Sequence, residues 1–278
     1  MNPEGISVVN PAELKYQEAL KSLKPEQKEI FTGLSKHDWF KKTAPELKLE
    51  LAQLPEDHDG FLKDLVMRPD SLGGMKVERL LKLPRGNYAL IPMFETENEK
   101  DGKKGTYEYV SWKNGPESGA KGLVLVKGKN GQISHFILLR GDKFATGQQE
   151  WDLTGGFGEK DDKTKGPFAT ITREVQEEFG LKELKIQTTL PLGRMRPDAG
   201  MTNNHPELFA VIIDAEQASK INENSVNLDP KELKAGPLIV PIKQLNEMCL
   251  KNEDSYFHFV VNKLNSLGVI STSPQATR

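Results

Sequence analysis

The sequence predicts an α+β chain: a helical region over residues 1–72, a mixed β and α domain over 73–270, and a disordered tail over 271–278. Three observations carry this. The first part of the chain holds repeated helix starts. From Met75 onward the texture switches to short apolar or alternating runs separated by turn residues. A single longer helical segment, bracketed by Gly166-Pro167 and Gly180, interrupts those runs.

In chain order, Asn10-Pro11-Ala12-Glu13 combines a capping Asn, a Pro at the first helical position and a Glu three residues after the cap. Further starts near Pro25, Ser35 and Pro45 give four or five short helices ending about Met67. Arg-Pro-Asp-Ser-Leu-Gly-Gly, from Arg68 to Gly74, breaks the pattern with Pro and paired glycines. Strand-like runs follow at Met75–Leu83, Asn87–Phe94, Thr106–Trp112, Lys121–Gly128 and Ser134–Arg140. Asn130-Gly131, between the last two, is the strongest short hairpin signal. A Gly- and Lys-rich loop follows Trp151, then the helix from about Pro167 to Phe179. Two more strand runs, Lys185–Gly193 and Glu207–Asp214, precede a polar loop over 216–236. The apolar run Pro237–Leu245 and an amphipathic helix over Ser255–Leu267 close the domain.

Composition bounds the function. The 278 residues carry 28% charged side chains and a formal net charge of −2, which argues against a surface built to grip nucleic acid. No apolar run reaches the ~18 residues a membrane helix needs, and no charged-then-apolar leader opens the sequence. One cysteine, Cys249, excludes a disulfide framework and a cysteine-rich metal site. The expectation is a cytoplasmic protein, without membrane or nucleic-acid partners.

Within the longer helix, Glu174, Glu177 and Glu178 stand at i, i+3 and i+4, neighbouring positions on one face. Like charges so placed repel by a few tenths of a kcal/mol per pair in water. A divalent cation reverses that sign, since hard cations such as Mg²⁺ prefer carboxylate oxygens and share substrate phosphates as further ligands. Arg173, next to them, suits a forked hydrogen bond to a carboxylate.

The run Arg173-Glu174-Val175-Gln176-Glu177-Glu178-Phe179-Gly180-Leu181 resembles the second half of the Nudix box, R-E-aliphatic-x-E-E-x-G-aliphatic, position by position. Gly155-Gly156 upstream, with Glu159 three residues on, is similar to that family as well. The resemblance covers roughly residues 75–265 and implies a mixed β-sheet sandwiched between helices. It implies hydrolysis of a nucleoside diphosphate linked to another moiety. In that picture Mg²⁺ or Mn²⁺ is held by Glu174, Glu177, Glu178 and Glu159, with Arg173, Glu177 and Glu178 in the catalytic machinery. The box departs from the pattern in one place. Counting forward from Gly156 the expected glutamate lands on Asp162, and counting back from Arg173 it lands on Lys165. The loop is about three residues longer than usual, and the box glutamate is absent or replaced by Asp161 or Asp162.

Two stretches point to the substrate. Ile137–Phe157 resembles the segment ahead of the box in ADP-ribose and nucleotide-sugar pyrophosphatases, with Lys143 where Arg is frequent, Asp152 for Glu and Thr154 for Pro. Pro197 stands 16 residues beyond Leu181, a spacing that resembles the ADP-ribose hydrolases. The resemblance thereby implies ADP-ribose or a related NDP-sugar, with Lys143, Gly155, Gly156, Arg194, Arg196 and Pro197 binding it. His205 is a further candidate for phosphate or ribose. Trp151 is open to base stacking or core packing. A downstream catalytic acid is expected at Glu232, with Glu223, Asp229 and Glu207 as rivals. Other readings stay open: a nucleotide-sensing module without catalysis, or hydrolysis of a dinucleotide, NADH or an RNA cap. An isopentenyl diphosphate isomerase would need a cysteine near the site, whereas Cys249 reads as a packed helix residue. The N-terminal helices lie outside the resemblance, where Trp39 and Phe40 are candidates for an exposed protein-partner site or for packing. A homodimer is left open.

Overall fold

The structure, a computed structural model, describes residues 10–143, 145–159, 162, 165–180, 185–221 and 235–271. The chain divides into two compact units. One comprises the described residues to Glu117 together with Asp198–Asn204, the other Ser118–Pro197 and His205 onward.

The first unit opens with helices α1 (Pro11–Ser22), α2 (Pro25–Leu34), α3 (Asp38–Lys42), α4 (Pro45–Ala52) and α5 (Asp59–Val66). Three of them begin on proline, and Asn10 Oδ1 accepts from the Ala12 N–H at 2.9 Å to cap the first. The third starts later than the Ser35 signal suggests, because its cap is not local. Asp70 Oδ1 accepts from the N–H groups of Asp38 and Trp39 at 2.8 and 3.2 Å. Strands β1 (Ser71–Leu72), β2 (Met75–Lys82), β3 (Ala89–Leu90), β4 (Met93–Asn98), β5 (Lys104–Glu108) and β6 (Ser111–Trp112) complete the unit. They form an antiparallel sheet in the order β1-β2-β4-β5 and a separate β3-β6 pair. The Gly73-Gly74 break in the sequence is the turn between β1 and β2, both glycines having positive φ.

Trp39 and Phe40 are not a docking surface. They are 0% and 2% exposed, in one core with Phe31, Leu80 and Phe94. Trp39 meets Phe94 edge-on at 5.3 Å between centroids, and Phe40 meets Phe31 at 6.3 Å. Strand residues Leu80 and Phe94 thus bury the helical core. The strands from Met75 to Trp112 therefore belong with the helices, rather than with the later domain in which the sequence groups them.

The second unit contains β7 (Gly119–Lys127), β8 (Ile133–Lys143), β9 (Gln148–Asp152), β10 (Thr154–Phe157), α6 (Pro167–Glu178), β11 (Thr188–Arg194), β12 (Glu207–Asp214), α7 (Ala215–Ala218), β13 (Ala235–Pro241), α8 (Leu245–Lys251) and α9 (Ser255–Ser266). Its sheet runs β11-β12-β7-β8-β13, with β10 on β7 and β9 on β8. Only the β12–β7 pair is parallel among these strands. Alternation along β7 and β12 sends side chains to two cores. Leu123, Leu125, Leu208 and Ala210 face Phe257, Val260 and Leu264 of α9. Val124, Val126, Phe209 and Val211 face Ile171, Val175 and Phe179. A mixed sheet between helices is the architecture the sequence predicts. Asn130-Gly131 makes the β7–β8 turn, with Gly131 at φ +81°. Among the described residues no helix is long and apolar enough to cross a membrane.

Candidate active site

Helix α6 is built to present its polar face. Ile171, Val175 and Phe179, at i, i+4 and i+8, are buried on one side, which turns Arg173, Glu174, Glu177 and Glu178 away from that core. Gly166 precedes its first residue and Gly180, at φ +66°, ends it.

Strand β10 forms the floor beneath this face. A Cβ on Gly156 would lie 2.4 Å from Glu174 Oε1 and 2.7 Å from its carboxyl carbon, so the missing side chain is what lets the Glu174 carboxylate rest on the strand. Gly155 is needed for a different reason. With φ at +153°, a Cβ there would come within 2.2 Å of the Ala120 carbonyl on the paired strand β7. Its N–H lies toward the Glu178 carboxylate and favours the charged form. The two glycines expected to bind substrate are thus the seats of two helix carboxylates.

Arg173 is the hub. Its Nε donates to Asp162 Oδ2 at 3.0 Å, and Nη1 to Glu177 Oε2 at 2.8 Å. Nη2 donates to the Phe157 carbonyl at 2.9 Å and pairs with Glu174 Oε1 at 2.8 Å. Glu159 is exposed, and its Oε1 lies 3.9 Å from Nη1. Burial pulls the guanidinium pKa down, but Glu174, Asp162 and Glu177 outweigh it and raise the net value. Asp162 is buried, and burial pushes its carboxyl up. The Glu159 N–H, at 3.2 Å, and Arg173 reverse that and leave it lowered. Of the two aspartates that could replace the box glutamate, Asp162 is the one seen on Arg173. Asp161 lies outside the described residues.

Glu178 is in a different condition. Its Oε2 is buried without a hydrogen-bond partner. Burial is the main cause that raises its pKa well above the carboxylate range, Glu174 and Asp152 add to it, and Lys121 and the Gly155 N–H oppose it. Among the described residues, no group of three or more His, Cys, Asp or Glu side chains is arranged to hold a metal ion. Of the four carboxylates expected to share one, Glu174, Glu177 and Glu159 face Arg173 instead. The residues nevertheless suit a hard divalent cation. A buried, unsatisfied carboxylate oxygen beside a second carboxylate is a donor set that such an ion would satisfy.

Asp152 sits close enough to matter electrostatically. Its Oδ1 accepts from Lys121 Nζ at 2.8 Å and its Oδ2 from Lys143 Nζ at 2.9 Å. The Lys121 ammonium also lies over the Tyr256 ring, 5.2 Å from its centroid. Lys143, expected to bind substrate, is here engaged by Asp152. Burial alone would raise the Asp152 carboxyl, but the two ammonium groups outweigh it and hold it at about 2. A carboxyl depressed on folding stabilises fully above its unfolded pKa of ~3.9, and that stability is lost as pH falls toward the folded value. Asp152→Asn is therefore expected to flatten the acid limb of the stability–pH curve between about pH 4 and 2, read by thermal melts. An unchanged limb would show that Asp152 does not carry this charge.

Two further candidates, Arg194 and Glu207, lie along one row of the sheet. Arg194 pairs with Glu207, Glu207 with Ala120, and Ala120 with Gly156. Strands about 4.8 Å apart thus put Arg194 three strands from the Glu174 seat. Arg194 Nε donates to Glu207 Oε2 at 2.8 Å. Arg196 and Pro197 are exposed just beyond β11, and His205 is half-buried just before β12. Trp151 packs against the α9-side core, and its carbonyl accepts from Asn252 Nδ2 at 3.2 Å. Cys249 packs in the same core, on α8. Glu223, Asp229 and Glu232 lie outside the described residues. Sequence reasoning missed Lys121, whose only signal is a charge at the head of an otherwise apolar strand.

No family model matches the chain, and no curated protein matches it. Among solved structures, one described as "Crystal structure of ADP compounds hydrolase" is similar at 15% identity and a TM-score of 0.49, over 72% of this chain and 99% of that one.

Proposed function

We propose that the protein is a divalent-metal-dependent pyrophosphohydrolase that cleaves ADP-ribose, or a related NDP-sugar, to a nucleoside monophosphate and a sugar phosphate. One observation carries this. On a helix with the R-E-x-x-E-E-x-G pattern, the Glu174 carboxylate rests on Gly156, and the buried Glu178 carboxylate beside it has one oxygen unsatisfied. Glu174, Glu178 and the half-exposed Glu177 would hold Mg²⁺ or Mn²⁺. Such an ion supplies charge neutralisation at the pyrophosphate and a more acidic bound water.

The chain's own residues supply placement. Arg173 fixes Glu174 and ties the β10 end to α6 through the Phe157 carbonyl. Arg194 and Arg196 suit forked contacts to phosphate oxygens. Arg194 would meet a phosphate while its Nε donates to Glu207 Oε2, which joins Glu207 to that arginine. For the downstream acid, Glu232 is the first candidate, with Glu223, Asp229 and Glu207 as its rivals. The ADP-ribose preference rests on the Pro197 spacing and the segment ahead of the box.

The test is incubation of the full chain with ADP-ribose, dinucleotides, NADH and NDP-sugars in Mg²⁺ and in Mn²⁺, with products separated by chromatography. AMP and ribose 5-phosphate are expected from ADP-ribose. Survival of every substrate in both metals sinks the proposal, and tight binding without turnover would instead make the chain a nucleotide-sensing module.

A further inference from the structure

Strand β5, an outer strand of the first unit's sheet, is exposed at every residue. Its pairing with β4 fixes which backbone groups are left open. The Asn98 N–H donates to the Lys103 carbonyl at 2.9 Å, and antiparallel ladder bonds recur at every second residue. Gly105 and Tyr107 therefore bond to β4, while the N–H and C=O groups of Lys104, Thr106 and Glu108 point away from the sheet. The same parity holds one step on. The Val110 N–H donates to the Met201 carbonyl at 2.9 Å, and the Val110 carbonyl accepts from the Asn203 N–H at 3.3 Å, all within this unit. Among the described residues, none takes up the outward groups of Lys104, Thr106 and Glu108.

An open strand edge is a template for further pairing, and proteins ordinarily blunt it. Other outer strands of this chain are blunted. β11 carries Pro191 with a register shift beside it, β13 carries Pro237 and Pro241, and β1 is two residues long. β5 has no proline, and its ladder with β4 runs unshifted from Met93↔Glu108 to Glu97↔Lys104. Lys104 is a charge of the kind that guards an edge. Its Nζ is 3.9 Å from Glu95 Oε1, at the limit of an ion pair, with the side chain 65% exposed. Glu108, four residues on, cancels that guard for one partner strand.

That partner is β5 itself. Laid antiparallel on a second copy about Thr106, Lys-Gly-Thr-Tyr-Glu meets Glu-Tyr-Thr-Gly-Lys. Lys104 then stands opposite Glu108 of the second copy, and Thr106 opposite its own equivalent, all at positions whose backbone groups point outward. Tyr107, a large side chain left exposed, comes to lie against Gly105 of the second copy, which has no side chain to cover the ladder. Sliding the pairing by two residues keeps backbone bonds but loses the charge match. One slide sets Lys104 opposite Thr106, and the other sets it opposite Val110, whose groups are already taken. We infer that two copies of this chain pair their β5 strands antiparallel about Thr106, joining their β1-β2-β4-β5 sheets into one. The interface does not depend on the hydrolase reading, and it gives the N-terminal unit a role of its own. One strand edge is small beside the ~1,600 Å² of a standard interface, so the expected dimer is reversible and concentration-dependent.

Sedimentation velocity of the full chain across a concentration series tests this. The weight-average mass is expected to rise from 31.1 kDa in dilute solution toward twice that value. A mass that stays at the monomer value up to about 500 µM, or climbs past the dimer, overturns the inference. By two-fold symmetry, Lys104→Glu or Glu108→Lys alone turns both Lys–Glu pairs into like-charge pairs, and each is expected to weaken the dimer ~10-fold or more. The double variant restores the pairs with their signs exchanged, and its Kd is expected to return to within about threefold of wild type. Thr106→Pro removes an outward N–H and no bond to β4, and is expected to weaken the dimer ~10-fold with the melting temperature in dilute solution unchanged. Should Thr106→Pro melt lower than wild type, the charge variants decide alone. Single charge variants that dimerise like wild type, or a double variant no tighter than the singles, overturn the inference.

Discussion

Glu178→Gln is expected to produce a chain that melts no lower than wild type, and higher by a few degrees, while losing pyrophosphatase activity by about 10³-fold or more. The two effects have one cause. In the fold the Glu178 carboxylate is buried beside Glu174, with Oε2 unsatisfied. Burying such a group costs free energy that a neutral amide avoids. Gln keeps the shape of the side chain and an oxygen toward the Gly155 N–H. What it loses is the charge that would hold a cation, and a loss of ~4 kcal/mol in transition-state stabilisation is about 10³ in rate. A third readout separates this from simple damage. Mg²⁺ or Mn²⁺ should raise the wild-type melting temperature, since a ligand of the folded state stabilises it by mass action, and should leave Glu178→Gln unmoved. A variant that melts lower yet keeps its metal-induced shift would place the ion elsewhere.

What the sequence shows best is local. The bounds of α6 follow from Gly166-Pro167 and Gly180, and the β7–β8 turn from Asn130-Gly131, because the residues that decide them are the ones that adopt them. Where a deciding partner is remote, the sequence misleads. The start of α3 is set by Asp70, 32 residues away from Asp38. Trp39 and Phe40 look available in a short charged helix, but Leu80 and Phe94 from strands close over them. The site divides in the same way. The spacing of Glu174, Glu177 and Glu178 is visible in the chain, and so is the i,i+4 reach from Arg173 to Glu177, whereas the contacts of Arg173 with Asp162 and the Phe157 carbonyl are a matter of tertiary geometry. Asp162 is the intermediate case. It stands six residues after Gly156, where the pattern asks for a glutamate, but only the fold shows that a lengthened loop still delivers a carboxylate to the arginine.

That delivery makes Arg173 the second residue of large effect. Arg173→Lys is expected to lower the melting temperature of the second unit by ~5–10 °C and activity by about 10²-fold, although the formal charge is kept. Three nitrogens of one planar group are committed: Nε to Asp162, Nη1 to Glu177, and Nη2 to both Glu174 and the Phe157 carbonyl. An ammonium is a single point with three rotating donors and cannot reach acceptors spread around a fork. Because Asp162 is buried, losing its guanidinium partner leaves a charge supported by the Glu159 N–H and the Thr170 hydroxyl, at a cost of up to about 3–5 kcal/mol. Asp162→Asn, which removes the charge but keeps the shape, should cost less than Arg173→Lys and leave most activity in place. Reversal of that order, with Arg173→Lys close to wild type, would mean that the arginine serves only as a counter-charge. The helix carboxylates would then owe their placement to Gly155 and Gly156 alone.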